Sequence, residues 1–204
     1  LWLARRGQLH IIYGINNDTL EFGKELIGQK NGAVVFVAKH PSSTESAAVS
    51  SMGCVLQTSV HALNAERKFL RGIGFRGSKR HVNLYAIDRN FENNIGYAKS
   101  LLETLHSYPI PTEQLHLVVL GNEDAIRKLQ HTPERYGYGY VTAVNEARLS
   151  ARLLTLQYPP CETISFDSNG MATENFEALL IGFGRVGQEV LKSLVMNGQF
   201  TGSH

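Results

Sequence analysis

Cysteine is scarce in this chain. Only Cys54 and Cys161 are present, far apart and in no metal-binding or redox spacing. That argues against a disulfide framework or a zinc site and fits a reducing cytoplasm. Long apolar runs are missing as well. None approaches the roughly 18 to 20 residues needed to span a bilayer, and the first residues lack the apolar core of a signal peptide. The expectation is a soluble chain in the cytoplasm or at the cytoplasmic face of a membrane. Because it starts at Leu1 rather than at a methionine, it is expected to be cut from a larger protein.

A strong charge of either sign is absent too. The net charge of +2 is too small to imply a nucleic-acid partner. Cations do gather at Arg67, Lys68, Arg71, Arg76, Lys79 and Arg80, with no acidic residue between them. This stretch reads as a solvated helix face followed by a basic loop. Prolines are few, 6 against 19 glycines, and 43% of residues are hydrophobic, which excludes a disordered or fibrous chain. At 204 residues there is length for one well-buried domain and part of another.

What the chain has in quantity is alternation. Leu9–Tyr13 is a short apolar run that meets a turn and a helical pattern at Leu20, Phe22, Leu26 and Ile27. Ala33–Ala38 is a continuous β-branched run, as a parallel strand covered on both faces requires. A third strand is expected at Cys54–Thr58, after a small-residue stretch suited to a loop or short helix, and then a helix over His61–Leu70. Strands follow at Val82–Ile87, Leu115–Leu120 and Tyr138–Thr142. Helices are expected over Phe91–Leu105, Glu123–Leu129 and Val144–Leu156. Such alternation predicts an α/β fold of the Rossmann type, a doubly wound, mostly parallel sheet with helices on both faces. Residues 8–156 form the expected nucleotide-binding domain and residues 157–175 a linker. Residues 176–204 would supply the first strand, Phe176–Ile181, and first helix of a second Rossmann-like domain.

Two glycine turns carry the chemistry. Gly182, Gly184 and Gly187 form an unbroken GxGxxG between an apolar run and a helix. In that motif one glycine permits a tight turn, one lets the backbone approach a pyrophosphate, and one lets helix and strand pack closely. The helix N-terminus then offers amides to an anion. The first turn keeps Gly14 and has Asn16 and Thr19 at the other two positions. Asparagine tolerates left-handed backbone, and Asp18 or Thr19 is expected to cap the helix. A plain NAD site places an acid at the end of the second strand. Here Ala38 is followed by Lys39 and His40, which suits a 2′-phosphate or another phosphate better.

These residues resemble the TrkA N-terminal or RCK domains, which regulate potassium channels and transporters. The resemblance covers about Leu9 to Leu120. It rests on the one-glycine turn with Asn16, on Phe69-Leu70-Arg71-Gly72-Ile73, on the strand Val82–Ile87, and on Asp88 followed by Asn94. The second glycine turn is similar to that of members with tandem domains. The resemblance implies binding of NAD(H), ADP or ATP in the first cleft and conversion of occupancy into movement of a gate. It departs from the family at Lys39, where an acid is usual, and at Thr58, Ser59 and Val60, where a Gly-Asp pair is usual.

No GxSxG, HExxH or P-loop lysine motif is present. The eight histidines are scattered and read as surface or hydrogen-bonded residues, and Tyr136–Tyr140 as a loop entering a strand. One reading is therefore a regulatory module that holds NAD(H), NADP(H) or an adenine nucleotide near Gly14, Asn16, Asp18, Thr19, Ala38, Lys39 and Ser59. A second ligand contact is expected at Gly182, Gly184 and Gly187. The expected partners are a second copy of the chain, as dimer or larger oligomer, and a channel or transporter domain. The alternative is an NAD(P)-dependent oxidoreductase whose catalytic part lies beyond His204. A third possibility is a first unit that serves only dimerisation.

Overall fold

The computed structural model describes residues 8–28, 32–73, 81–106, 115–122, 124, 127 and 141–202. The chain forms two compact units, Leu1–Val144 and Asn145–His204. The first is an α/β sheet structure. In chain order it runs β1 (Gln8–Tyr13), α1 (Asn17–Gly28), β2 (Gly32–Val37), α2 (Ser43–Ser51), β3 (Val55–Gln57), α3 (Val60–Leu63), α4 (Arg67–Gly72), β4 (Val82–Ala86), α5 (Phe91–His106), β5 (Leu115–Leu120) and β6 (Val141–Val144). The six strands are ordered β3-β2-β1-β4-β5-β6, and every pairing is parallel.

The strand sequences explain this sheet. Successive side chains on a strand point to opposite faces, and in β1 and β2 both faces are apolar. Ile11, Val35 and Val37 enter one core with Leu70, Leu84, Leu101 and Leu117. Ile12, Val34 and Phe36 enter the other with Leu26 and Val49. Helices therefore cover both faces, as parallel sheets require. On α1 the buried positions are Thr19, Gly23 and Leu26, a helical stripe. Gly23 is required by its neighbour: a Cβ there would lie 2.6 Å from the Phe36 ring.

Several expectations are corrected in detail. The helix expected over His61–Leu70 is two helices, α3 and α4. Ala65 stands between them with φ +48°, and its amide and that of Glu66 donate to the carbonyls of Ala62 and His61. This is a Schellman stop with alanine in the place glycine usually takes, so composition did not announce it. The small-residue stretch forms α2, closed at its N-terminus by a reciprocal Ser42–Glu45 capping box. The expected solvated helix face is present, with Arg67, Lys68 and Arg71 exposed beside buried Phe69 and Leu70. The basic residues Arg76, Lys79 and Arg80, the tyrosines of 136–140 and most of the helix expected over 123–129 lie outside the described residues.

The second unit holds α6 (Glu146–Gln157), a single 3-10 turn (Pro160–Glu162) and α7 (Arg185–Asn197). A hydrogen bond of 3.2 Å between the hydroxyls of Thr155 and Ser193 links α6 to α7. The segment expected as a linker is ordered by its own bonds. The Asp167 carboxylate accepts from the amides of Asn169 and Met171, and Phe166 pairs with Ala172 across an isolated bridge. Phe166 and Phe176 both meet Phe200 edge-on. The strand expected at Phe176–Ile181 is not in a sheet: the segment has no ladder partner among the described residues. Leu179 and Ile181 are each 89% exposed. A strand is defined by its neighbour, and apolar sequence alone does not supply one. No helix among the described residues is long and apolar enough to cross a membrane.

Candidate functional site

The strand order reverses between β1 and β4, because the chain winds outward from β1 in one direction to β3 and in the other to β6. At such a point the connections leave the strand ends in opposite directions and open a crevice beyond their carboxyl ends. A cleft of about 480 Å³ lies there, lined by residues after β1 (Tyr13, Gly14, Ile15), after β2 (Ala38, Lys39, His40, Pro41, with Glu45 on α2) and after β4 (Asp88, Asn93). Its volume falls in the range of about 300 to 1,000 Å³ common for small-molecule sites.

The floor of the cleft is built by close approach. Gly14 takes φ +98°, and its amide donates to the Val37 carbonyl at 2.9 Å, which ties the first turn to the end of β2. A Cβ on Gly14 would lie 2.8 Å from the Asp88 Cβ. Glycine is thus demanded twice, by torsion and by space. Behind the turn, Asn16 and Thr19 close the N-terminus of α1 reciprocally. The Asn16 side-chain oxygen accepts from the Thr19 amide at 3.0 Å, and the Thr19 hydroxyl oxygen accepts from the Asn16 amide at 2.9 Å. Asn16 is therefore the cap expected of Asp18 or Thr19. Asp18 instead extends outward, its side chain 83% exposed and 3.5 Å from Arg89. Thr19 is 2% exposed, so it fills the position of the motif's third glycine as a packing residue. The amides of Asn17 and Asp18 have no acceptor among the described residues, as the first amides of a helix do not.

The opposite wall rests on Asn94, a fully buried polar residue. Its side-chain oxygen accepts from the Asp88 amide at 2.8 Å, and its nitrogen donates to the carbonyls of Asp88 at 2.8 Å and Leu120 at 2.9 Å. One side chain thus fastens the end of β4 to the end of β5. Asp88 accepts from the Asn90 amide at 3.3 Å, and Asn90 in turn caps α5 through the amides of Glu92 and Asn93. Burial, and then the Asp88 charge, push the Tyr13 phenol above its usual range. The Tyr13 ring stacks on Tyr97, centroids 4.2 Å apart.

The β2 side carries a cation, Lys39, and a carboxylate, Glu45. Lys39 is exposed at the mouth, and His40 takes φ +53°. Glu45 is the first carboxylate after β2. The backbone amide and hydroxyl of Ser42 donate to its Oε2 at 2.7 and 2.8 Å, which holds its pKa below the usual carboxylate value.

Of the expected site residues, the structure brings Gly14, Ala38 and Lys39 to one cleft, with Asn16 and Thr19 fixing the helix behind it. Ser59 does something else: it caps α3 by accepting from the Ala62 amide, and it does not line the cleft. Gly182, Gly184 and Gly187 belong to the second unit. There Gly182 takes φ +92°, and a Cβ on Gly187 would lie 2.6 Å from the Gly182 carbonyl oxygen. Gly184 is the N-cap of α7 with no side-chain cap bond. Sequence reasoning missed Asp88, Asn93 and Glu45 as lining residues. For Asp88 and Asn93 the signal was strand order, since a 3-2-1-4 winding sets the residues after β4 beside those after β1.

Elsewhere three histidines have structural partners. His10 is buried, lies 3.4 Å from the Tyr85 hydroxyl and stacks on that ring. His116 lies 3.3 Å from the Thr142 hydroxyl, and His61 lies 2.6 Å from Glu66. Compared with known proteins, the chain matches no family model and no curated protein.

Proposed function

We propose that the first unit is a regulatory nucleotide-binding module that holds NAD(H), NADP(H) or an adenine nucleotide in the cleft at the β1–β4 switch. Occupancy is passed to a partner as a change of conformation, with no chemistry on the ligand. The observation that carries this reading is the coincidence of cleft and switch point. The Gly14 turn, packed against Asp88, and a solvent-facing Lys39 both line the cleft, and the N-terminus of α1, capped by Asn16, follows directly after that turn. These are the groups a phosphorylated ligand uses: close backbone, helix amides and a cation. The resemblance to TrkA N-terminal domains supplies the partner class, a potassium or other cation channel or transporter, and a dimer or larger oligomer of this chain. In the same reading the Gly182–Gly187 turn opens a second Rossmann-like unit of a tandem protein.

A ligand can shift such a module only by its differential affinity for two states. The test is a thermal-shift and calorimetric screen against NAD, NADH, NADP, NADPH, AMP, ADP and ATP. A ligand at a hundred times its Kd adds about 2.7 kcal/mol to the stability of the folded state, so one nucleotide at least is expected to raise Tm, with its absorbance spectrum unchanged over hours. No rise with any nucleotide at millimolar concentration overturns the reading. Oxidation or reduction of the nicotinamide in the presence of a small substrate replaces it with the oxidoreductase reading.

A further inference from the structure

We infer that the end of β2 makes the cleft selective for a nucleotide with an additional phosphate on its adenosine ribose, with Lys39 and His40 as the specificity-determining residues. The inference rests on the nucleotide-binding reading above and names its ligand class. In Rossmann-type sites a carboxylate at the end of the second strand accepts hydrogen bonds from ribose hydroxyls, whereas a cation there accommodates a 2′-phosphate. The residues after β2 are Ala38, Lys39, His40 and Pro41, and all four line the cleft. None is acidic.

The nearest carboxylate is already committed. Glu45 Oε2 takes both donors of Ser42, and the Ser42 hydroxyl accepts from the Glu45 amide. The closed box binds that carboxylate to the first turn of α2. Lys39, by contrast, has no hydrogen-bond or ion-pair partner among the described residues, so its ammonium keeps its donors for a ligand. His40 is held at φ +53° immediately before Pro41. Steric contact with a following proline ring normally drives a residue to extended backbone, and side chains favour that region as well. A cleft-lining histidine kept in the left-handed region against both preferences is placed by its surroundings. Across the cleft the sign reverses at Asp88, which repels phosphate. Among the described residues, Lys39, at the end of β2, is the one cation in the cleft lining for the extra phosphate to pair with.

The experiment is isothermal titration of the full chain with two matched pairs: NADPH against NADH, and adenosine 2′,5′-bisphosphate against AMP. The phosphorylated member of each pair is expected to bind about tenfold tighter or more, the range of one charge-assisted hydrogen bond. Its advantage shrinks as salt is raised. Lys39→Glu is expected to reverse the preference and Lys39→Gln to level it. Lys39 is exposed, so Tm without ligand stays that of the parent chain. If NADH binds as tightly as NADPH, and Lys39→Glu leaves both affinities unchanged, the inference falls while the nucleotide reading stands. If neither member of either pair binds, the inference falls, and the nucleotide reading falls with it when ADP and ATP also fail to bind.

Discussion

The two glycine turns of this chain have the same local task and opposite surroundings. At Gly14 the turn sits at the end of a central strand, with β2 on one side and β4 on the other. Its amide is bonded to Val37, its Cβ space belongs to Asp88, and the helix behind it is capped by Asn16. At Gly182 the turn geometry comes from glycines alone. Gly182 supplies the positive φ, and Gly187 lets the helix pack on the Gly182 carbonyl. The apolar segment before it has no ladder partner among the described residues, and Leu179, Ile181 and Phe183 are exposed. A full GxGxxG is thus enough to write a turn into a helix, but a cleft needs neighbouring strands. The turn with one glycine of three has the cleft.

The sharpest way to test that contrast is to place the same methyl group in both turns. Gly14→Ala forces φ +98° on an alanine and drives its Cβ to 2.8 Å from Asp88. It is expected to cost about 3 kcal/mol in urea unfolding. Gly182→Ala carries a similar torsion, φ +92°, but meets nothing within 4 Å, and is expected to cost about 1 kcal/mol. Equal effects at the two positions would mean that the turns are equivalent and that the strand neighbours contribute nothing.

The wall opposite Gly14 is tested next. Asn94→Ala removes three bonds from a buried position and leaves an amide and two carbonyls behind, at a cost of about 2 kcal/mol. It should also raise hydrogen exchange at Asp88, since that amide loses its acceptor. The helix caps come third. Asn16→Ala is expected to cost about 1 kcal/mol as a lost N-cap, whereas Asp18→Ala, a pair 3.5 Å long on the surface, is expected to change stability by less than about 0.5 kcal/mol. The reverse order would return the cap to Asp18.

The smallest effect is a pH dependence. Burial lowers the His10 pKa from 6.5, so below pH 6.5 the unfolded chain binds a proton that the folded chain does not. Stability attached to this residue is therefore present above pH 6.5 and lost as pH falls from there toward the lower folded value. Unfolding of His10→Phe should lose less stability between pH 7 and pH 5 than the parent chain. Identical profiles would place the titration elsewhere.

Much of the sheet was legible because parallel strands buried on both faces read as unbroken apolar runs. Leu115–Leu120 is found at the expected residues, and Val82–Ala86 ends one residue early. The break at Ala65 was hidden because alanine is a good helix former everywhere except in the left-handed position it occupies here. The far wall of the cleft was hidden for a different reason. Asp88 and Asn93 are distant in sequence from Gly14, and only the strand order, which no local pattern carries, makes them neighbours. Phe176–Ile181 shows the converse, a run with the composition of a strand and, among the described residues, no partner to make it one.

The Gly14 turn is the proposed nucleotide site. The most direct measurement is hydrogen exchange of the backbone amides with and without saturating nucleotide, read across both turns in one experiment. The account predicts new protection at residues 14–20, 38–45 and 88–93, with the amides of 182–188 unchanged. Protection confined to 182–188, with the first turn unaffected, would contradict it.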